Sequence, residues 1–161
     1  MDVLVALGIS IGILIAGWTY VALGPAALPV WAGIVAWGCF FAAGGKTTGL
    51  TKTVASNLSG VFWAFVALYL NGSLKGGLGT LSLLVGLIAL LMVVQSKISL
   101  LSFIPGAFLG AATAVSVVVG AEGKFPHPWA KTAIALVIGA VLGYLSEMLA
   151  GAIARKPRRA V

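Results

Sequence analysis

Few residues in this sequence could carry out acid–base, nucleophilic or metal chemistry. The 161 residues include one histidine, one cysteine and three acidic residues, and none of them are at the spacing of metal ligands. The histidine, His127, lies between Pro126 and Pro128, which indicates a loop residue rather than a catalytic base. The sequence therefore predicts no enzyme activity, no metal site and no cofactor.

Small polar residues inside apolar segments are the remaining candidates. Ser56 and Asn57 lie early in one such segment, where they could either join helices by hydrogen bonds, worth about 0.6–2 kcal/mol each, or line a solute path. Both interpretations are open. Around a proline in a later segment lie further polar or small residues, and the candidate path-lining set is Ser56, Asn57, Ser102, Pro105, Gly106 and Thr113.

One carboxylate, Glu147, lies within the last apolar segment. A carboxylate at the centre of a bilayer costs about 2.5–3.5 kcal/mol on insertion scales, so it needs water or a partner. We expect Glu147 to lie near the cytoplasmic interface, either solvated or paired with a basic residue.

The elements that position these residues must be membrane-spanning. Hydrophobic residues make up 61% of the chain and charged residues 8%, with a mean hydropathy of +1.15, far too little charge for a water-soluble surface. The net charge is +7, but four cations crowd at the end, at Arg155, Lys156, Arg158 and Arg159. That distribution indicates that the basic residues contact lipid head groups, and it argues against nucleic-acid binding.

Apolar segments of near-spanning length predict an all-α membrane protein with about six transmembrane helices. The segments are 3–23, about 26–44, about 53–70, about 78–95, 98–120 and about 130–154. Pro25 lies just before the second segment, Pro29 lies near its start, and Pro105 interrupts the fifth, so helices two and five are expected to be broken or kinked. Residues 1–154 would form one transmembrane domain, and 155–161 a basic cytoplasmic tail.

The Lys and Arg residues between the segments predict orientation. With both ends inside, seven cations lie on the cytoplasmic side and three, Lys75, Lys124 and Lys131, on the other. We therefore expect a multi-pass protein of the bacterial inner membrane with both termini in the cytoplasm.

Two segments look alike and suggest an internal repeat. Lys52-Thr53 is followed by Gly60 at the same offset as Gly139 follows Lys131-Thr132. Halves of three spans each, 1–72 and 73–154, would have opposite orientations, which is an inverted-topology repeat. Chance is the alternative, because Gly, Ala, Val and Leu dominate the whole chain.

Glycine pairs four residues apart let helix backbones approach closely. They indicate helix packing, within one protomer or between protomers, at Gly8 and Gly12, Gly106 and Gly110, and Gly139 and Gly143.

Several segments carry a resemblance to a known family; they are Trp31–Ile34, Phe40–Ala42, Gly44-Gly45, Ser59–Ala64 and Leu101–Gly110. The stretch Ser-Phe-x-Pro-Gly-x-Phe-x-Gly from Ser102 to Gly110 is the most specific. Together they resemble a family of small bacterial inner-membrane proteins catalogued as a domain of unknown function, the 1097 family. The resemblance implies an inner-membrane, single-domain protein, but it transfers no activity and no functional residues.

A channel or simple transporter for a small uncharged solute is the function that these patterns favour, with a pore inside each protomer of a homo-oligomer. Inverted bundles of three plus three helices are similar in architecture to aquaporin-like and formate-channel-like proteins, which is an analogy of fold only. The alternative is an accessory subunit that packs against a larger membrane complex through its glycine faces.

Overall fold

Residues 2–154 are described by a computed structural model, in which they form an all-α membrane protein of six α-helices. The helices are α1 (Val3–Leu23), α2 (Val30–Ala42), α3 (Lys46–Ser73), α4 (Leu78–Val94), α5 (Ile104–Val118) and α6 (Pro128–Ala154). Two 3-10 turns, Gln95–Lys97 and Ser99–Leu101, join α4 to α5. The tail predicted at 155–161 lies outside the described residues.

Four of the helical segments are long and apolar enough to cross a membrane. They are α1, α3, α6 and α4 together with the 3-10 turn that extends it to Lys97. The 21 residues of α1 correspond to about 31 Å of helix, which matches a hydrocarbon core of about 30 Å.

The helices α2 and α5 are shorter than a membrane span. Their 13 and 15 residues give lengths of about 20 and 22 Å. Pro29 caps the start of α2, and Pro105 lies in the first turn of α5. The interruption expected at Pro105 lies before α5, in the 3-10 turns, because proline fits the first turn of a helix, where no backbone donor is needed.

The third helix begins seven residues earlier than the sequence predicts. The segment from Lys46 to Lys52, expected to be a polar turn, forms the first two turns of α3. Gly45 precedes it with φ +65°, a left-handed conformation that glycine adopts without a Cβ penalty. The backbone N–H of Lys46 donates to Glu147 Oε2 at 2.7 Å, so a residue 101 positions away supplies the cap that the local sequence lacks.

Each short helix packs against a long helix of the other half of the chain. The most extensive contacts join α5 to α3 and α2 to α6, while α3 and α6 also contact each other. The helices α1 and α4 lie outside, against α6 and α3 respectively. The centre of the bundle is therefore built from α2, α3, α5 and α6.

Glycines allow the central helices to touch backbone to backbone. A Cβ atom at Gly60 would collide with the Ala107 backbone, and one at Gly110 with the Asn57 backbone. A Cβ at Gly139 would collide with the Gly33 backbone. Helices α3 and α5, and likewise α2 and α6, are thus in direct backbone contact at these crossings.

The other glycines of the expected packing pairs differ in what lies opposite them. Gly143 faces the Phe40 ring, and Gly106 faces the Phe103 ring and the Ser56 side chain. Gly8 and Gly12 lie on an exposed face of α1, with open space where a side chain would be. Within the described chain, this first pair packs against no other helix.

The buried faces of the two halves correspond position by position. Buried residues of α3 recur in α6 at a shift of 79, as Thr53 and Thr132, Ser56 and Ala135, Asn57 and Leu136, Gly60 and Gly139, Val61 and Ala140, Ala64 and Gly143, and Ala67 and Ser146. Buried residues of α2 recur in α5 at a shift of 74, as Ala32 and Gly106, Gly33 and Ala107, Ala36 and Gly110, Cys39 and Thr113, and Phe40 and Ala114.

Candidate functional site

Three polar side chains on α3 are fully buried in the centre of the bundle. Thr53, Ser56 and Asn57 have no exposed surface, and their spacing of three and four residues places them on one face of the helix. They lie about 10 to 16 Å along the helix from its start at Lys46. We call these three residues the polar cluster.

The polar cluster lies where α3 meets α5 and α2. A Cβ atom at Gly106 would lie 3.0 Å from the Ser56 Cβ, and the backbone of Asn57 lies against Gly110. The Cys39 thiol of α2 lies beside the Asn57 side chain. The small residues of α5 therefore bring its backbone close enough to cover the cluster.

Within residues 2–154 the polar atoms of the cluster have no oxygen or nitrogen atom as hydrogen-bond partner, and the Cys39 thiol beside Asn57 is only a weak donor. The polar atoms are Thr53 Oγ1, Ser56 Oγ, Asn57 Oδ1 and Asn57 Nδ2, all buried. A buried polar group without a partner costs about 1–3 kcal/mol, and the cost is not recovered in a hydrocarbon surrounding. Four such atoms at one helix crossing need hydrogen-bond partners, which either bound water or a small solute could supply.

A second set of buried polar groups, on α1, α2 and α6, is hydrogen-bonded. Trp37 Nε1–H donates to Ser146 Oγ at 3.1 Å, and Ser146 Oγ donates to the Gly143 carbonyl at 2.7 Å. Ser10 Oγ lies 2.8 Å from the Ser146 carbonyl. These bonds join α1, α2 and α6, and we call this set the serine–tryptophan network.

The side-chain amide of Gln95, in contrast to that of Asn57, is hydrogen-bonded at both ends. Gln95 Oε1 accepts from Trp63 Nε1–H at 2.9 Å, and Gln95 Nε2 donates to Ser59 Oγ at 2.9 Å. Both ends of this amide are used to hold the end of α4 against α3. Neither end of the Asn57 amide has such a partner.

Glu147 lies at one end of the bundle and acts as a helix cap. It is half-buried, and its carboxylate accepts the Lys46 N–H described above. Its partner is thus a backbone group at the positive end of α3. A groove of about 530 Å³ beside it is lined by Lys46, Thr47, Tyr144, Glu147, Met148, Gly151 and Ala152.

The path-lining residues expected from sequence are only partly brought together. Ser56, Asn57 and Gly106 meet at the α3–α5 crossing. Thr113 is buried on α5, two turns beyond Gly106. Ser102 is half-buried, with its hydroxyl 2.8 Å from the Ser99 carbonyl, and Pro105 is exposed.

Two residues at this site, Thr53 and Cys39, were not predicted from the sequence. Thr53 lies one helical turn before Asn57, and that spacing could have placed both on one face. Cys39 belongs to another helix, and no sequence signal predicts that its side chain lies beside Asn57. The polar cluster consists of two hydroxyls and one amide, groups that form neutral hydrogen bonds.

Comparisons with known proteins identify relatives along nearly the whole chain. Residues 8–151 match the family model described as protein of unknown function (DUF1097). The chain is 36% identical over 148 residues to inner membrane protein YcdZ of Escherichia coli (strain K12), covering 89% of this chain and 83% of that protein. It is 32% identical over 157 residues to uncharacterized protein YahC of the same organism, covering 91% of this chain and 90% of that protein.

The protein named YcdZ in Salmonella typhimurium is 35% identical over 148 residues, covering 89% of this chain and 85% of that protein. No solved structure matches the chain. The apolar helices make this a membrane protein, and its similarity to named inner membrane proteins supports a place in the bacterial inner membrane. Because the family model covers most of the sequence, the chain belongs to the DUF1097 family of proteins of unknown function.

Proposed function

We propose that this protein is a channel or simple transporter for a small uncharged solute, without enzymatic activity. The observation that carries the proposal is the pair of short helices, α2 and α5, at equivalent places in the two halves of the chain. Both begin at a proline and contact each other near the centre of the bundle.

Short helices have a functional consequence in a bilayer. Lengths of about 20 and 22 Å leave part of a core of about 30 Å to be crossed by non-helical chain. Non-helical backbone at that depth is tolerated only where protein buries it or where it lines a water-filled cavity. In transporters built from inverted repeats, paired interrupted helices of this kind form the solute site near the midplane.

The matching buried faces support the inverted repeat. The shifts of 79 residues between α3 and α6 and of 74 between α2 and α5 relate helices one half apart. Because each half, 1–72 and 73–154, has three helices, successive halves would face opposite ways across the membrane. Such a repeat supplies two similar gates on either side of one site.

The groups available at the centre favour an uncharged solute. Proton- or ion-coupled transport generally uses carboxylates within the membrane, and Glu147 is engaged at the end of the bundle as the cap of α3. The polar cluster offers only hydroxyl and amide groups. A charged solute would have no opposite charge from the cluster to offset its desolvation.

We further propose that the protein forms a homo-oligomer with both termini in the cytoplasm. Gly8 and Gly12 leave an open, exposed face on α1, where a helix of a second copy could approach closely. The same exposed face favours the second candidate function, an accessory subunit of a larger membrane complex. That alternative predicts no solute flux and poor stability of the protein when it is purified alone.

Stopped-flow swelling of proteoliposomes tests the proposal against a panel of urea, formamide, glycerol, formate and ammonium. We expect flux of at least one neutral solute above that of empty liposomes. Gly106→Val, which places a side chain against Ser56 and Phe103, should lower that flux. Gly86→Val, at an exposed position of α4 with open space, is the matched control. No flux from protein that remains folded would refute the channel and leave the accessory subunit.

A further inference from the structure

We infer that the polar cluster of Thr53, Ser56 and Asn57 binds a small primary amide, of which urea and formamide are the simplest examples. As a statement about the transported solute this inference rests on the proposed function. The binding itself follows from the unpaired atoms and the contacts of the cluster, and it can be measured separately.

Hydrogen-bonding capacity favours an amide over other neutral solutes. Asn57 presents an unpaired carbonyl oxygen and an unpaired NH₂ group, side by side and fully buried. A primary amide is the complement of this pair, since its N–H can donate to Oδ1 while its C=O accepts from Nδ2. The hydroxyls of Thr53 and Ser56, each a donor and an acceptor, can satisfy the remaining groups of the solute.

The size of the cluster also fits such a solute. Thr53 and Asn57 are separated by one turn of α3, about 5.4 Å. A molecule of three or four heavy atoms is long enough to span that separation once α5 has moved away from the cluster. Gly106 and Gly110 of α5 face the cluster and have no side chains. Only the α5 backbone would therefore have to move to make room for the solute.

The neighbours of the cluster argue against an ion. Cys39, Gly106 and Gly110 contact it, and none of these residues has a side chain that is charged in its ordinary state. A formate or ammonium ion placed there would lose its hydration shell without a counter-charge. A neutral amide would lose only hydrogen bonds to water, which the cluster replaces one for one.

The conformation described is closed around the site. The backbone contacts of Gly60 with Ala107 and of Gly110 with Asn57 seal α5 against α3, and the four polar atoms are inaccessible. Entry of a solute therefore requires α5 to separate from α3. The chain leading into α5 consists of two short 3-10 turns, which resist such a movement less than a continuous helix would.

Flux measurements in proteoliposomes form the first arm of the test. For Asn57→Leu and Thr53→Val we expect urea and formamide flux about tenfold or more below wild type, because one or two hydrogen bonds to the solute are lost. Glycerol flux should fall less. Thr132→Val, at the equivalent position of α6 where the hydroxyl is already paired, should leave all fluxes unchanged.

Labelling of Cys39 forms the second arm and does not depend on flux. The thiol is the single cysteine of the chain and lies beside Asn57, so its reaction with methyl methanethiosulfonate reports occupancy of the site. Urea and formamide should slow this reaction in the wild-type protein, and glycerol at equal concentration should not. In folded Asn57→Leu protein the protection should disappear.

The two arms separate the possible failures. Protection by amides without any flux would retain the binding site and overturn the transport function. Flux of some solute without amide protection, or with urea flux unchanged in Asn57→Leu, would overturn the amide assignment and retain the transport function. Equal protection by glycerol and amides would also overturn the assignment, because it would show a general hydroxyl or water site.

Discussion

The polar cluster and the serine–tryptophan network contain similar residues in similar burial, yet their hydrogen bonding is opposite. In the network, Ser146 and Trp37 are both paired, and the bonds hold α1, α2 and α6 together. In the cluster, four buried atoms on α3 lack partners in the described chain. Burial and residue type are therefore similar in the two regions, and they differ in whether each buried polar atom has a hydrogen-bond partner.

The same contrast holds between equivalent positions of the two halves. Thr132 Oγ1 donates to the Pro128 carbonyl at 2.8 Å, whereas its counterpart Thr53 Oγ1 has no partner. Gly139 and its counterpart Gly60 both lie against the backbone of a short helix. The crossing of α2 with α6 would thus be fixed, whereas the crossing of α3 with α5 would gain hydrogen bonds when it opens to a solute or to water.

The largest expected effect comes from adding one methyl group at each crossing. Gly139→Ala should lower the free energy of unfolding by about 3 kcal/mol, because a Cβ there meets the Gly33 backbone and backbone cannot yield cheaply. Gly60→Ala creates a similar clash, but separation of α5 from α3 lets the unpaired cluster gain partners. Its loss should be smaller by at least about 1 kcal/mol.

Thermal unfolding in one detergent measures both losses, with Gly151→Ala as a control at a position with open space. Gly60→Ala should also accelerate the labelling of Cys39, and Gly139→Ala protein that remains folded should not. Equal losses and equal labelling rates in the two variants would show that the crossings do not differ in their capacity to open.

A smaller loss is expected when the serine–tryptophan network is broken at its centre. Ser146→Ala removes the acceptor of Trp37 Nε1–H and leaves that donor buried. We expect the free energy of unfolding to fall by about 1–3 kcal/mol.

Ser56→Ala, which removes a hydroxyl that has no partner, is the matched comparison and should not destabilise the protein. Chemical denaturation in mixed micelles can measure both; a larger loss in Ser56→Ala would reverse the assignment of the two regions.

Features that depend on local composition could be predicted from the sequence. The number of apolar segments, the prolines that begin α2 and α5, and the membrane location follow from hydropathy and from the missing N–H of proline. Ser56 and Asn57 could also be picked out as candidates, because they are polar residues within an apolar segment. These properties need no knowledge of which helices touch.

Features that depend on helix pairing could not be predicted. All six helices are apolar on most faces, so no stripe in the sequence indicates that α5 packs on α3 or α2 on α6. The early start of α3 depends on Glu147, which belongs to α6. The unpaired state of Thr53 likewise depends on the neighbours that tertiary packing gives it, since its counterpart Thr132 has the same residue type and burial.

The smallest and most discriminating effect is expected from the two threonines. Valine has nearly the shape of threonine without the hydroxyl, so Thr132→Val should lower the free energy of unfolding by about 0.5–1.5 kcal/mol through loss of the bond to Pro128. Thr53→Val should instead raise it by about 1 kcal/mol, because it removes a buried hydroxyl that has no partner. Thermal unfolding followed by circular dichroism, with both variants in the same detergent, gives the sign of each change.

Urea or formamide, added at concentrations too low to denature the protein, should stabilise the wild type and Thr132→Val more than Thr53→Val. If both valine variants lose stability equally, Thr53 has a partner in solution, and the difference between the two halves on which the binding site depends does not exist.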